Sequence, residues 1–424
     1  MKRILLFSII IILITSCGNM LDIYPHSAIS PDAVTENDLG ALEAGMYNKC
    51  QNMPRESFIL NDLMGGLVKG VTHASAQDLI NHITQIDNDV VQKTWNGYFT
   101  TLSQVNNVLS ITLSRAENAD VNRVKGSAYF FRAYIYLNLV THWGDVPMLE
   151  KSTFDNVPRD PADKIWEFIE SDLDKAEEYL PAFTETGSYY YLSKDAAKAL
   201  KARVALYRGD KQKAAEIAES FIRQGQFKID KFEKIFRKEP NSEIIFAFEN
   251  LTEESNVAMS ALFYNYSHPN KGSYFYRPTI NVTVLFNDKD NRKNISWDSF
   301  GGQACFNKYP SGQTGTDPVI LIRMSEMYLI SAEARGLEGI NRLNELRNQR
   351  GLEDLSPIPN SEDEYMEALL EERTREFLTE GHRYYDFVRT GHGADIGLQD
   401  YQKLLPVPES QRLVNTKLSQ NPGY

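Results

Sequence analysis

Three glutamates spaced four residues apart, Glu372, Glu376 and Glu380, lie in the stretch YMEALLEERTREFLTEGHRYYDFVR, residues 365–389. Helical periodicity would stack them on one face, and paired carboxyl groups are the equipment of glycoside hydrolysis. Their neighbours argue otherwise. A general acid needs a raised pKa, whereas carboxylates interleaved with arginines are held ionised. Glu371 with Arg375 makes an i,i+4 pair, and Arg383, Asp386 and Arg389 follow at i,i+3 spacing. The stretch therefore reads as a structural ion-pair ladder, and the chain is expected not to be an enzyme. It contains no Walker loop, H-E-x-x-H, Cys-x-x-Cys or G-x-S-x-G, so no cofactor or metal is expected.

Recognition without bond chemistry is the alternative, and residues 256–316 are suited to it. Helical periodicity is lost there, while Tyr264, Tyr266, His268, Tyr274, Phe275, Tyr276, Arg277, Trp297 and Phe300 stand among Asn, Ser, Gly and Asp. Sugar rings are held by flat aromatic faces against their apolar side and by planar polar groups against their hydroxyls. An irregular segment of this length inside a compact domain is usually functional. The preferred contacts are Tyr266, His268, Tyr274, Tyr276 and Trp297, with core packing as the competing role for each ring. A net charge of −12 argues against nucleic acid or anionic lipid headgroups as partners.

Such a surface needs a scaffold, and the stretch VKGSAYFFRAYIYLNLVTHWGDVP, residues 124–147, supplies its centre. Its aromatic and aliphatic side chains leave no wet face on a helix, so it belongs in the middle of a core. Gly144, Asp145 and Pro147 end it near Trp143. Helical spacing recurs from Trp95 through Leu109, from Ile165 to Leu180, and in two alanine-rich helices, Lys194–Tyr207 and Asp210–Arg223, joined at Gly209. That last pair is tetratricopeptide-like. Ser30-Pro31 carries helix-entry chemistry for a helix reaching Tyr47. Residues 58–91 are rich in glycine and polar groups and read as a loop or broken helix. The apolar run after Glu243 reads as a strand. Cys50 and Cys305 are expected to be free thiols.

The aromatic helix followed by W-G-D-V-P resembles the signature of the SusD/RagB family of lipid-anchored nutrient-binding proteins. Further matches follow in order. Residues 95–109 resemble the family's aromatic helix. Val319–Leu352 resembles its I/L-R-x-S/A-E/D helix and the I-N-x-L-R helix after it, with a short link at Gly336–Gly339. Residues 365–389, LLPVP at 404–408 and the terminal QNPGY resemble its closing segments. The resemblance implies a mostly α-helical domain with tetratricopeptide-like hairpins facing a transporter and an irregular loop and short-strand face for ligand. It places His73, Gln77 and His82 in a region that contributes to that ligand surface.

Lys2, Arg3 and the apolar run Ile4–Ile14 form a signal-peptide pattern. Leu13-Ile14-Thr15-Ser16-Cys17 resembles a lipobox, which makes Cys17 the expected lipidation site. Acyl chains there would contribute about 0.8 kcal/mol per buried methylene. The expected organisation is a lipoprotein signal peptide at 1–16, a lipidated tether at 17–30 and a single domain at 31–424. Within that domain the helical scaffold spans 31–240 and 318–424, and the irregular region spans 241–317. By resemblance, this is a surface-exposed outer-membrane lipoprotein that touches the membrane only through its anchor. It captures an oligosaccharide and delivers it to a SusC-like TonB-dependent transporter. Peptide capture in the manner of RagB and an anchored glycan hydrolase are the alternatives.

Overall fold

The computed structural model describes residues 34–70, 73–153, 155–251 and 257–424. The expected signal peptide, lipidation site Cys17, tether and Ser30-Pro31 helix start lie outside the described residues. Helix α1, Leu39–Met64, runs well beyond the Tyr47 end expected from sequence, straight through Pro54. A proline inside a helix costs about 3 kcal/mol. Phe58, Ile59, Leu60, Leu63 and Met64 are each at or below 6% exposed, and burying such side chains contributes about 1.5–3 kcal/mol apiece. Burial outweighs the proline, and the helix continues to Gly65. Strand β1 (Val68–Gly70) and the short helix α2 (Ala74–Ile80) follow, so the polar stretch after Phe58 is part helix, part strand and part loop.

Helix α3, Asp89–Leu113, starts at Asn88, whose side chain accepts from the amides of Val90 and Val91 at 3.1 and 3.2 Å. Helix α4, Ala119–Trp143, is capped by Asn118 and stops at Gly144, which adopts φ +69. Phe130, Phe131, Ile135, Tyr136, Leu139 and Trp143 on α4 are all fully buried, so this helix is the axis of the main core. Trp95 of α3 is 3% exposed and meets the Trp143 ring edge-on at 5.2 Å. The Trp143 indole donates to the Pro406 carbonyl at 3.0 Å, and Asn421 donates to the Trp143 carbonyl at 3.0 Å. The chain's last segments thereby clasp the end of the central helix.

Helix α5, Ala162–Tyr179, packs along α4, and the Arg132 guanidinium grips the Asp172 carboxylate with bonds of 2.6 and 2.8 Å. Helices α6 (Lys194–Tyr207) and α7 (Lys211–Gln224) form the alanine-lined hairpin expected from sequence, with Asp210 capping α7. Strand β2 (Ile244–Phe248) follows. The next residues hold short helices and three short strands, β3 (Tyr276–Pro278), β4 (Trp297–Phe300) and β5 (Gln303–Phe306).

Strand β6, Val319–Arg323, departs from the sequence reading, which began a helix at Val319. It pairs antiparallel with β2, from Phe248↔Val319 to Ile244↔Arg323. A five-residue apolar run is ambiguous between helix and strand, and the waiting edge of β2 decides it. Helices α8 (Met324–Ala334) and α9 (Ile340–Gln349) are joined through a 3-10 turn at Gly336–Gly339. The run 365–389 divides into α10 (Glu362–Glu376) and α11 (Arg383–Arg389). Cys50 and Cys305 are free and buried. Among the described residues no helix is long and apolar enough to cross a membrane.

Candidate ligand-binding site

The carboxylates that most resemble catalytic groups are sealed inside the protein. The side chains of Glu372 and Glu376 are 0% exposed and that of Glu380 is 4%. Glu376 accepts from Arg350 at 2.7 and 3.1 Å, from Arg292 at 2.9 Å and from Arg323. Glu380 takes Arg323 at 2.9 Å and the Lys308 ammonium at 2.6 Å, while Glu372 pairs with Arg292 and Arg347 at 2.7 and 2.8 Å. Burial by itself drives the Glu376 carboxyl upward, but Arg350, Arg323 and Arg292 outweigh it and hold it well below the usual carboxylate range. No substrate reaches these groups. They bind α10 to β6 and α9.

A surface suited to recognition forms where β1 pairs antiparallel with β3, Lys69 opposite Arg277 and Gly70 opposite Tyr276. This pairing joins the 68–82 segment to the aromatic segment after residue 264. The hairpin of β4 and β5 packs beside β3. Tyr274 holds a left-handed backbone, φ +51, and its hydroxyl donates to the Ala304 carbonyl at 2.8 Å. The Arg277 guanidinium lies 4.6 Å from the centre of the Tyr274 ring. Its Nε is buried with no hydrogen-bond partner among the described residues. Tyr266 is 74% exposed and Phe275 39%, and Lys69, across from Arg277, is exposed.

The other residues singled out from sequence divide between this surface and the framework beneath it. His73 caps α2 by accepting from the Ala76 amide at 3.3 Å, and its other ring nitrogen is 3.7 Å from Asp89. Gln77, on α2 beside β1, donates to Asn81 at 2.9 Å. His82 is tied to the Met64 carbonyl at 3.0 Å, closing the end of α1. His268 is 7% exposed, stacked on Tyr264 at 3.6 Å and edge-on to Phe300 at 4.4 Å. Burial pushes its pKa down. Tyr276 is 9% exposed. Trp297 sits half-buried against the main core, opposite Phe306 in the hairpin. His82, His268 and Tyr276 thus spend their rings on the fold. Arg277 and Phe275 stand on the face although the sequence reading did not select them. The register that sets Arg277 across from Lys69 is long-range, so sequence holds no local signal for it, whereas the Tyr274–Arg277 contact spans three residues and follows from the Tyr274 backbone.

Comparison with known proteins agrees with this architecture. Residues 19–206 match a family described as SusD-like, "starch-binding associating with outer membrane", and residues 304–403 match the SusD family model. SusD-like protein P2 of Formosa agariphila is 26% identical over 99% of both chains. Among solved structures, a SusD superfamily protein from Bacteroides vulgatus superposes with a TM-score of 0.81 at 19% identity, covering 92% of this chain and 99% of its own. The surface glycan-binding protein A of Bacteroides thetaiotaomicron, in complex with laminarihexaose, superposes with a TM-score of 0.78 at 18% identity, covering 92% and 100%. With the two family matches falling on the helical stretches on either side of the irregular region, the chain belongs to the SusD/RagB family.

Proposed function

We propose that this protein captures an oligosaccharide at the outer membrane and passes it to a SusC-like TonB-dependent transporter. The observation that carries the reading is the Tyr274–Arg277 stack beside the exposed Phe275, on a surface pinned by the β1–β3 pair, with Tyr266 exposed on the same irregular segment. An aromatic face takes the C–H side of a sugar ring, and a guanidinium donates to hydroxyls in its own plane. His73 and Gln77 border the same surface and add polar contacts. Binding and release suffice for this task, and rigid-body closure over the transporter would deliver the ligand without any bond being broken. The family description, starch-binding and outer-membrane associating, and the laminarihexaose complex of a structural neighbour support a glycan ligand. The lipobox-like run ending in Cys17 supports a lipid anchor and cell-surface placement.

The test is calorimetric titration of the Cys17→Ala protein against neutral oligosaccharides and, in parallel, short peptides. Saccharide binding weakened about tenfold or more by Arg277→Ala, the loss of roughly 1.4 kcal/mol of stacking and hydrogen bonding, is expected with an unchanged melting temperature. Binding of peptides alone, or release of reducing ends from any saccharide, overturns the reading. Incorporation of labelled palmitate, lost in Cys17→Ala, checks the anchor.

A further inference from the structure

A second cleft runs along the first half of α1 and shares no residue with the β1–β3 surface, which adjoins the other end of that helix. At about 1.5 Å per residue, Tyr47 and Met64 are separated by roughly 25 Å of helix. Two cavities of about 620 and 320 Å³ share Glu43, Tyr47 and Tyr191, so they are two arms of one cleft. Clefts of this size accept small ligands.

Tyr191 stands between the arms and is 57% exposed. Its loop is held in place, since the Tyr191 amide donates to the Ser188 carbonyl at 3.3 Å and the next amide, Leu192, donates to the Tyr47 hydroxyl at 2.9 Å. An exposed ring on a tied-down backbone is a platform that costs little entropy to use. Acceptors dominate the walls. Asn122 Oδ1 in the larger arm and Asn250 Oδ1 in the smaller are both buried with no hydrogen-bond partner among the described residues. Asn250 is 1% exposed, and its amide nitrogen is fixed by the carbonyls of Gly315 and Asp317 at 2.6 and 2.7 Å. Buried acceptors without donors call for a ligand that brings them. Glu43, Asp120, Glu185 and Glu249 line the two arms and repel an anion, and Arg123, 3.0 Å from Glu43 and 3.2 Å from Asp120, has its charge taken up by them. A ring platform and a surplus of acceptors, carboxylates included, describe a polyhydroxylated ligand that carries no negative charge.

We propose that this cleft is a second saccharide-binding site, taking neutral glycan units stacked on Tyr191. The inference rests on the reading that the protein is a glycan receptor and extends it. Two sites on one body would hold a long chain at two points, raising its retention without new contacts at either. The experiment titrates laminarihexaose, maltohexaose and a panel of neutral disaccharides into the full protein, wild type and the variants Tyr191→Ala and Arg277→Ala, with melting curves as the folding control. Two sites per chain are expected, with Tyr191→Ala weakening one by about tenfold or more and Arg277→Ala weakening the other. A single site lost in Arg277→Ala and indifferent to Tyr191→Ala overturns the second site and leaves the first reading standing. A single site lost only in Tyr191→Ala keeps this cleft and overturns the β1–β3 face. No binding to any of these saccharides overturns both.

Discussion

Replacing Glu376 by glutamine tests whether the stacked carboxylates are structure or chemistry. The change keeps the shape and removes one negative charge from among three guanidinium groups, those of Arg292, Arg323 and Arg350. It also places an amide that donates hydrogens where a carboxylate oxygen had accepted them. Glu243, Glu380 and Glu372 remain nearby and offset part of the loss. Removing one partner of a buried ion pair costs about 3–5 kcal/mol. Unfolding entropy scales at about 2 cal/mol/K per residue, so in a chain of 424 residues that cost lowers the melting temperature by roughly 3–6 °C. Urea unfolding followed by circular dichroism reads the same loss. The control is Glu371→Gln on the same helix, whose side chain is 54% exposed and, among the described residues, pairs with Arg375 alone. Exposed pairs are worth about 0–1 kcal/mol. Equal and small effects of the two substitutions would refute the ion-pair argument. An unchanged melt together with loss of a saccharide-cleaving activity would do so from the other side, by making Glu376 a catalytic group.

Two further outcomes follow from packing and titration. Gly126→Ala inside α4 gains about 1 kcal/mol of helix propensity, but the new methyl would lie 2.9 Å from Leu180 Cγ and 3.0 Å from its amide nitrogen. Overpacking of that kind costs about 1–3 kcal/mol, so the variant is expected to melt lower, whereas Gly97→Ala on α3, with nothing within 4 Å, melts higher. His142 is buried, its Nδ1 donating to the Asn138 carbonyl at 2.7 Å, and burial lowers its pKa from 6.5 to about 4. The unfolded chain takes up that proton below pH 6.5 and the folded protein only near pH 4, so stability present above 6.5 is lost as pH falls through this window, by about 3 kcal/mol. Urea titrations across the window should show a slope that His142→Gln flattens, and parallel curves would disprove the assignment.

What could be read in advance was local. The apolar density of α4 admits no place but the core, and the caps Asn88, Asn118 and Ser193, which the sequence reading did not single out, act on residues two or three positions away. That Glu376 is held ionised was legible, but the arginines that hold it, Arg292, Arg323 and Arg350, all come from outside the stretch 365–389. Where two segments had to meet, sequence was silent. The helix continued past Pro54 because of what Phe58 to Met64 pack against, and Val319–Arg323 became a strand because β2 lay beside it.

The proposed ligand face shows the limit most clearly, since Tyr274 and Tyr276, spaced by two, would share one side of a regular strand. In β3, however, Tyr276 is buried, and Phe275 and Arg277 on either side of it are more open. Tyr274 escapes this alternation because its backbone turns to φ +51 just before the strand begins, which carries its ring to Arg277. A residue chosen for its ring alone therefore reaches the surface or the core according to one backbone angle, and at Tyr274 that angle accompanies the hydroxyl's bond to the Ala304 carbonyl and the β1 pairing that begins two residues later. Removing the Tyr274 hydroxyl with phenylalanine frees the ring from Ala304 without removing the stack. If that hydroxyl positions the platform, saccharide affinity falls in Tyr274→Phe by about two- to tenfold, in keeping with a neutral hydrogen bond worth about 0.5–1.5 kcal/mol. An unaltered affinity, measured by the same calorimetry, would mean that the strand pairing alone sets the geometry.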